Sequence, residues 1–280
     1  MNDILAADVI KKIQDLPALS SVVTELLSSI DQEEVDVDSI ATKISHDLAL
    51  TAKTLRLANS SFYGMQHKIT SIQEAIAVLG FRNVRTLITT TAITGSFRKT
   101  QSGLFNFRSF WQHSIATAVC AKQLARHMKT SEEYAFIAGL LHDIGKLVLA
   151  TRYAEQYEQV MIFRAEQDCY MQDAERAILS IDHTEVGKAL TEHWKFPEEM
   201  QKAVAHHHDA DQAESGILTT IVHVANAMSH ALDLAEDETT LVPRISESAW
   251  NKLKLTQEAS AEIFKETEKQ FEEICQILIN

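Results

Sequence analysis

Twelve histidines in 280 residues are the chemically loaded feature of this sequence, and most lie between His113 and His230. The run Gly-Leu-Leu-His-Asp-Ile-Gly-Lys over 139–146 sets the imidazole of His142 beside the carboxylate of Asp143, where an apolar helix ends. Adjacent residues on a regular helix diverge by about 100°. The two can share one ion only if it sits near the end of the helix axis, with His113 supplied by the preceding helix. A mixed nitrogen and oxygen shell of that kind suits a divalent transition metal such as Fe, Mn, Zn or Ni better than Ca. A second cluster follows: His183 within Asp-His-Thr-Glu-Val-Gly over 182–187, then His206, His207 and His208 ahead of Asp209. Taken singly, a histidine on an apolar helix is most often a hydrogen-bonded core residue. The triple histidine reads equally as an exposed helix end whose charge complements the dipole, and Asp209 and Asp211 as solvated acids. Only the group points to a metal.

Such a set must be held by helices. With 8 Gly and 3 Pro the chain lacks the punctuation of a turn-dense sandwich or barrel, and its apolar residues recur at helical spacing. Residues 1–30 place Leu16, Leu19, Val22, Val23, Leu26, Leu27 and Ile30 on one face, with Pro17 near the start. Asp36, Asp38 and Ser39 form a capping signal ahead of Ile40, Ile44 and Leu48, and a longer helix runs through Leu55, Leu57 and Ala58. Asn59, Ser60, Ser61 and Gly64 punctuate, a short helix over 72–79 stops at Gly80, and another covers 84–94. Residues 86–93 are rich in β-branched side chains, but a lone strand would have no partner, so helix is preferred. Residues 95–106 are the joint to the next section. Beyond it the pattern predicts a helix through Ile115, Val119 and Leu124, one over 134–149 capped by Ser131, and one over 153–167. The tail over 248–280, rich in Glu and Lys, reads as a surface or docking helix pair. The expected fold is all-α, with an amino-terminal helical bundle over 1–105, a second over 106–232 and a helical extension over 233–280.

At 45% hydrophobic and 23% charged residues the chain is globular rather than disordered. No apolar run approaches the ~18 residues of a membrane span, and the start lacks the basic then apolar order of a signal peptide, so a cytoplasmic protein with no membrane contact is expected. Cys120, Cys169 and Cys275 share no close spacing and read as reduced core thiols. The net charge of −13 opposes nucleic acid. The first 105 residues carry 10 Lys and Arg against 11 Asp and Glu, and the remainder 16 against 28, so the acidity belongs to the second part. Lys53, Arg56 and Asn59 share one helix of a helix-turn pattern over 38–59, but a near-neutral section makes nucleic-acid binding the weakest reading.

Several ordered motifs resemble the HDOD domain, the HD-related output domain, a relative of HD-superfamily metal-dependent phosphohydrolases and of the HD-GYP cyclic di-guanylate phosphodiesterases. They are Trp-Gln-His-Ser over 111–114, the run through His142 and Asp143, His207-His208-Asp209, and in the first section Leu-Pro-Ala-Leu from Leu16, the stretch 44–64 and the stretch 71–80. The resemblance covers about 15–230 and implies an all-α fold with an HD-like second bundle, in bacterial signal transduction. It implies metal ligation by His113, His142, Asp143, His183, His207 and His208, with Lys146 as the lysine of the HD-x-GK motif and the catalytic candidate. Asn226 falls where the family's closing aspartate ligand belongs, and a neutral amide binds a divalent ion more weakly. Thr184 stands in place of a proline, Ser109 in place of a carboxylate used by some phosphodiesterases, and no Gly-Tyr-Pro follows the histidine pair.

These departures favour a signalling output or regulatory module with little or no hydrolase activity, acting through another signalling protein. The alternative is a metal-dependent phosphohydrolase acting on a small phosphorylated ligand.

Overall fold

Many helix starts in this chain are fixed by side chains that accept from otherwise unpaired backbone N–H groups. Ser20 accepts from the amide of Val23 to open α1 (Ser21–Ser28), Asp36 from Ser39 to open α2 (Val37–Ser45), and Asp47 from Leu50 to open α3 (Leu48–Ala58). Ser71 opens α4 (Ile72–Leu79), which ends as the sequence predicts at Gly80, in the left-handed region at φ 83°. Next comes α5 (Phe81–Ser96), helical through the β-branched run. The protein, a computed structural model, is described over residues 19–29, 36–59, 67–96, 104–212, 215–235 and 241–279, with Val9, Lys11 and Ile13. Leu16, Pro17, Ile30, the punctuation at 60–66 and most of the joint, 97–103, lie outside the described residues.

The second bundle is built around α6 (Phe107–His127), whose neighbours include α7 (Glu132–Leu141), α13 (Ile217–Ala231) and α15 (Gln257–Leu278). Between them come α8 (Ile144–Arg152), α9 (Ala154–Gln167), α10 (Met171–Leu179), α11 (His183–His193) and α12 (Glu198–His206), with α14 (Glu247–Leu253) following α13. The described residues contain helices and no strand. The two bundles meet where α5 packs on α7.

Two expectations are corrected. The stretch 134–149 is two helices, because the chain turns at His142 and Asp143 between α7 and α8. The break frees both side chains from the divergence a continuous helix would impose. Over Glu132–Arg152 an 18-residue window is apolar enough to span a membrane by composition, contrary to the hydropathy reading, yet 83% of that window is buried inside the bundle, as core helices are. The tail is indeed a helix pair, but α15 buries Ile263, Phe271 and Ile274 while packing on α6. Its apolar face is thus already covered by this chain. Asn59, weighed as a base reader, accepts from the Ile69 amide and donates to the Leu55 and Ile69 carbonyls, bracing the approach to α4.

Candidate metal centre

Four elements deliver the imidazoles to one place. His113 comes from the middle of α6, His142 and Asp143 from the turn between α7 and α8, His183 from the first turn of α11, and His207 and His208 from the turn after α12. Asp182 sets the start of α11: its Oδ1 accepts from the Thr184 amide at 2.8 Å and hydroxyl at 2.6 Å, and its Oδ2 pairs with Arg176 at 2.6 Å. The Thr184 hydroxyl thereby helps hold the capping carboxylate in place. Gly145 lets α8 abut α11, since a Cβ there would sit 2.0 Å from the His183 carbonyl oxygen.

The carboxylate of Asp143 lies at the centre. Its Oδ1 is 3.3 Å from His183 Nε2 and 3.5 Å from His207 Nε2, and its Oδ2 is 3.3 Å from His142 Nε2 and 3.7 Å from His113 Nε2. His208 Nε2 stands 3.0 Å from His183 Nε2, and His113 Nε2 3.2 Å from His142 Nε2. Two donor groups share the aspartate: His183, His207 and His208 on one side, His113 and His142 on the other. Asn226 and Lys146 line the same cavity as His113, Asp143 and His208, a space of about 920 Å³. The six imidazole and carboxylate residues named from sequence are thus brought together, while Asp209 and Asp211 are exposed.

The hydrogen bonds decide what these atoms can do. His142 Nδ1 lies 2.7 Å from the Gly139 carbonyl and His207 Nδ1 2.8 Å from the Val204 carbonyl. Carbonyls only accept, so both Nδ1 atoms carry the proton. His183 Nδ1 likewise donates to Glu175 Oε2 at 2.5 Å. In the neutral imidazole each Nε2 is then a lone pair, and three lone pairs face a carboxylate. Asp143 Oδ1, His207 Nε2 and Asn226 Oδ1 are buried with no hydrogen-bond partner. Acceptors crowded on acceptors in a buried site call for a cation between them, and the nitrogen and oxygen donor set fits a divalent transition metal. Lys146 Nζ, 2.6 Å from Asp143 Oδ2, supplies one positive charge at the rim.

Burial, with neighbouring His142 and His183, pushes the His207 imidazole down to about 4, despite the opposing pull of Asp143. His113 and His208 are held well below the ordinary value, chiefly by burial. Burial acts to raise the Asp143 carboxyl, but His142 and Lys146 outweigh it and hold the group well below the usual carboxylate range. A histidine depressed in the folded state takes up its proton more readily when unfolded. It therefore contributes stability that is full above about pH 6.5 and is lost toward about pH 4. The metal-free protein should show a falling urea midpoint from pH 7 to pH 4.5, with His207 contributing on the order of 3 kcal/mol. A midpoint flat over that range would contradict the buried neutral imidazoles.

Two supporting residues escaped the sequence reading. Glu175 is fully buried, accepts from both the His183 amide and its ring, and receives the Tyr157 hydroxyl at 2.9 Å. Its surroundings in sequence, Asp173 and Arg176, look like a solvated helix face, and no spacing signal marks it. His223 donates Nδ1–H to the His207 carbonyl and accepts the Ser246 amide at Nε2, joining the ligand turn to the start of α14. Glu175→Ala should weaken metal binding by about 10- to 100-fold, because ligand orientation is lost with the outer hydrogen bond. Competition with a metallochromic chelator measures it, and an unchanged affinity would remove Glu175 from the site.

The family model of the HDOD domain matches residues 16–210. An uncharacterized protein of Treponema pallidum is 29% identical over 233 residues, 82% of this chain and 45% of its own length. The chain spans less than half the length of the curated relatives it matches. Among solved structures, a candidate phosphohydrolase from Shewanella amazonensis is 25% identical with a TM-score of 0.77, over 96% of this chain and 97% of its own. An HDOD domain protein of unknown function from Geobacter sulfurreducens is 25% identical with a TM-score of 0.72, over 92% and 87%.

Proposed function

We propose that this chain, which belongs to the HDOD domain family, is a signalling output module whose histidine and aspartate centre holds a divalent cation with little or no hydrolase activity. The observation that carries this reading is Asn226, a buried neutral amide with an unpartnered oxygen in the cavity beside Asp143. The donor set around Asp143 then holds one carboxylate, so a bound cation is less well neutralised than in a site closed by a second one. His113, His142, Asp143, His183, His207 and His208 would hold the metal, with Asn226 Oδ1 as a weak neutral donor. A divalent cation supplies Lewis acidity toward a phosphoryl oxygen. Lys146 is turned onto Asp143 and partly neutralises it. Output would pass through contact with another signalling protein.

The phosphohydrolase reading has its own support in the cavity of about 920 Å³ over the centre, whose lining includes the partly buried Lys146 beside Asp143. The name of the Shewanella amazonensis relative points the same way. Turnover of cyclic di-guanylate and of a chromogenic phosphodiester by metal-loaded protein separates the two. Hydrolysis is expected to be at the background rate, whereas rapid turnover that vanishes in His142→Ala would establish the enzyme. In parallel, Asn226→Asp should tighten metal binding several-fold, and no change would detach Asn226 from the centre.

A further inference from the structure

His142, His183 and His207 are each fixed twice, by the turn or helix that carries them and by an Nδ1 hydrogen bond to Gly139, Glu175 or Val204. His113 is held differently. Its Nε2 lies 3.2 Å from His142 Nε2 and 3.7 Å from Asp143 Oδ2, and among the described residues nothing bonds its Nδ1. A ring without that outer bond can swing about its Cβ–Cγ torsion, which is broad for histidine. Metal ligation asks for the opposite, an Nε2 lone pair kept on one line.

What meets the ring is His230. The two ring centroids are 4.3 Å apart with planes inclined by 36°, so His230 covers one face of His113, while His142 approaches edge-on at 5.1 Å and 67°. His230 stands on the last turn of α13, four residues after Asn226 and hence on the same helix face. It lines the cavity of the centre beside His113 and Asn226. Two anchors set this register. Ser109 and Thr117 lie about one turn before and one turn after His113 on α6. The Ser109 hydroxyl donates to the Ala235 carbonyl at 3.1 Å. The Ser229 hydroxyl donates to the Asn226 carbonyl at 2.9 Å, which leaves the Thr117 hydroxyl as the donor to Ser229 Oγ at 2.8 Å. These bonds fasten α6 to α13 and to the chain just beyond it, with His113 midway between them and His230 opposite.

On the reading of the centre as a cation site, we propose that His230 is a positioning residue: its ring, stacked on His113, holds the His113 Nε2 toward Asp143 and the ion. The helix α13 then serves the ion twice, as a weak donor through Asn226 and as a brace through His230. The flat ring is what the brace requires, and the nitrogens of His230 are not.

The test titrates Co(II), whose visible bands report coordination geometry, into the metal-free full chain. His230→Ala should weaken Co(II) by about tenfold, the scale of losing a ligand's outer support, and should shift the visible bands, whereas His230→Phe should stay within about twofold of wild type with unchanged bands. His230→Gln, which keeps a polar side chain without a ring, should be as weak as His230→Ala. Adding His230→Ala to His113→Ala should cost nothing further, because the two act as a unit. In the metal-free protein the His113 ring-proton signals, identified by their loss in His113→Ala, should move downfield in His230→Ala and remain upfield in His230→Phe. Unchanged Co(II) affinity in His230→Ala, failure of His230→Phe to restore it, rescue by His230→Gln, or His113 signals unmoved in metal-free His230→Ala would each overturn the proposal. A wild-type chain that takes up no Co(II) would instead remove the reading of the centre as a cation site, and with it the role of the brace, while the metal-free signals report the stack in either case.

Discussion

Asp143→Ala should empty the centre, with bound metal per chain falling at least tenfold, whereas His113→Ala, which removes one donor from the Oδ2 side alone, should lower occupancy far less. The difference follows from geometry: Oδ1 faces His183 and His207 while Oδ2 faces His142 and His113. One carboxylate is therefore common to both donor groups, and it carries the negative charge that balances a buried cation. Asp143→Asn is the sharper companion, since it keeps the shape and removes the charge. Elemental analysis after reconstitution reads both, and full occupancy in Asp143→Ala would show that the imidazoles suffice without it. Circular dichroism guards against a simple loss of fold, because removing the carboxylate also relieves the crowding of acceptors in the metal-free chain.

The second large effect concerns the junction of the bundles. Arg85→Met should destabilise the protein by ~3–5 kcal/mol, because it strands the Glu133 carboxylate in the interior. Arg85 Nε and Nη2 donate to the two Glu133 oxygens at 2.6 Å each, and Nη1 donates to the Ser29 carbonyl at 2.9 Å, tying α1, α5 and α7 together. The side chains are 4% and 7% exposed, so solvent does little to screen the pair. The double variant Arg85→Met with Glu133→Leu should recover most of the loss, since no buried charge remains. Urea midpoints for the wild type, both single variants and the double variant complete the cycle. A cost under about 1 kcal/mol for Arg85→Met would place this pair with weakly contributing surface bridges.

Much of the architecture was legible because it depends on local chemistry. Asp36, Ser71, Ser131 and Gly80 cap or stop helices as their types imply, and the 3.6-residue apolar rhythm located α5 correctly despite its threonines. The break at His142 and Asp143 was legible only in part, since the run marked the end of an apolar helix there while the continuing apolar rhythm carried the expected helix on to 149. The same limit applied to the tail, where amphipathic spacing marked a face to be covered and left open whether another protein or α6 covers it. Glu175 and the Arg85–Glu133 pair were invisible for a related reason. A charged residue on a helix reads as solvated until its neighbours are known, and these neighbours come from 8 and 48 positions away.

By itself the amino-acid order determined which residue types could bind a metal and which stretches must be helical. Those facts are properties of residue type and short-range spacing. Tertiary structure alone decided that the Nδ1 atoms of His142, His183 and His207 are committed as donors, so that their Nε2 lone pairs converge on Asp143. Protonation state and direction depend on partners brought in by other helices, and that information is absent from any window of the sequence.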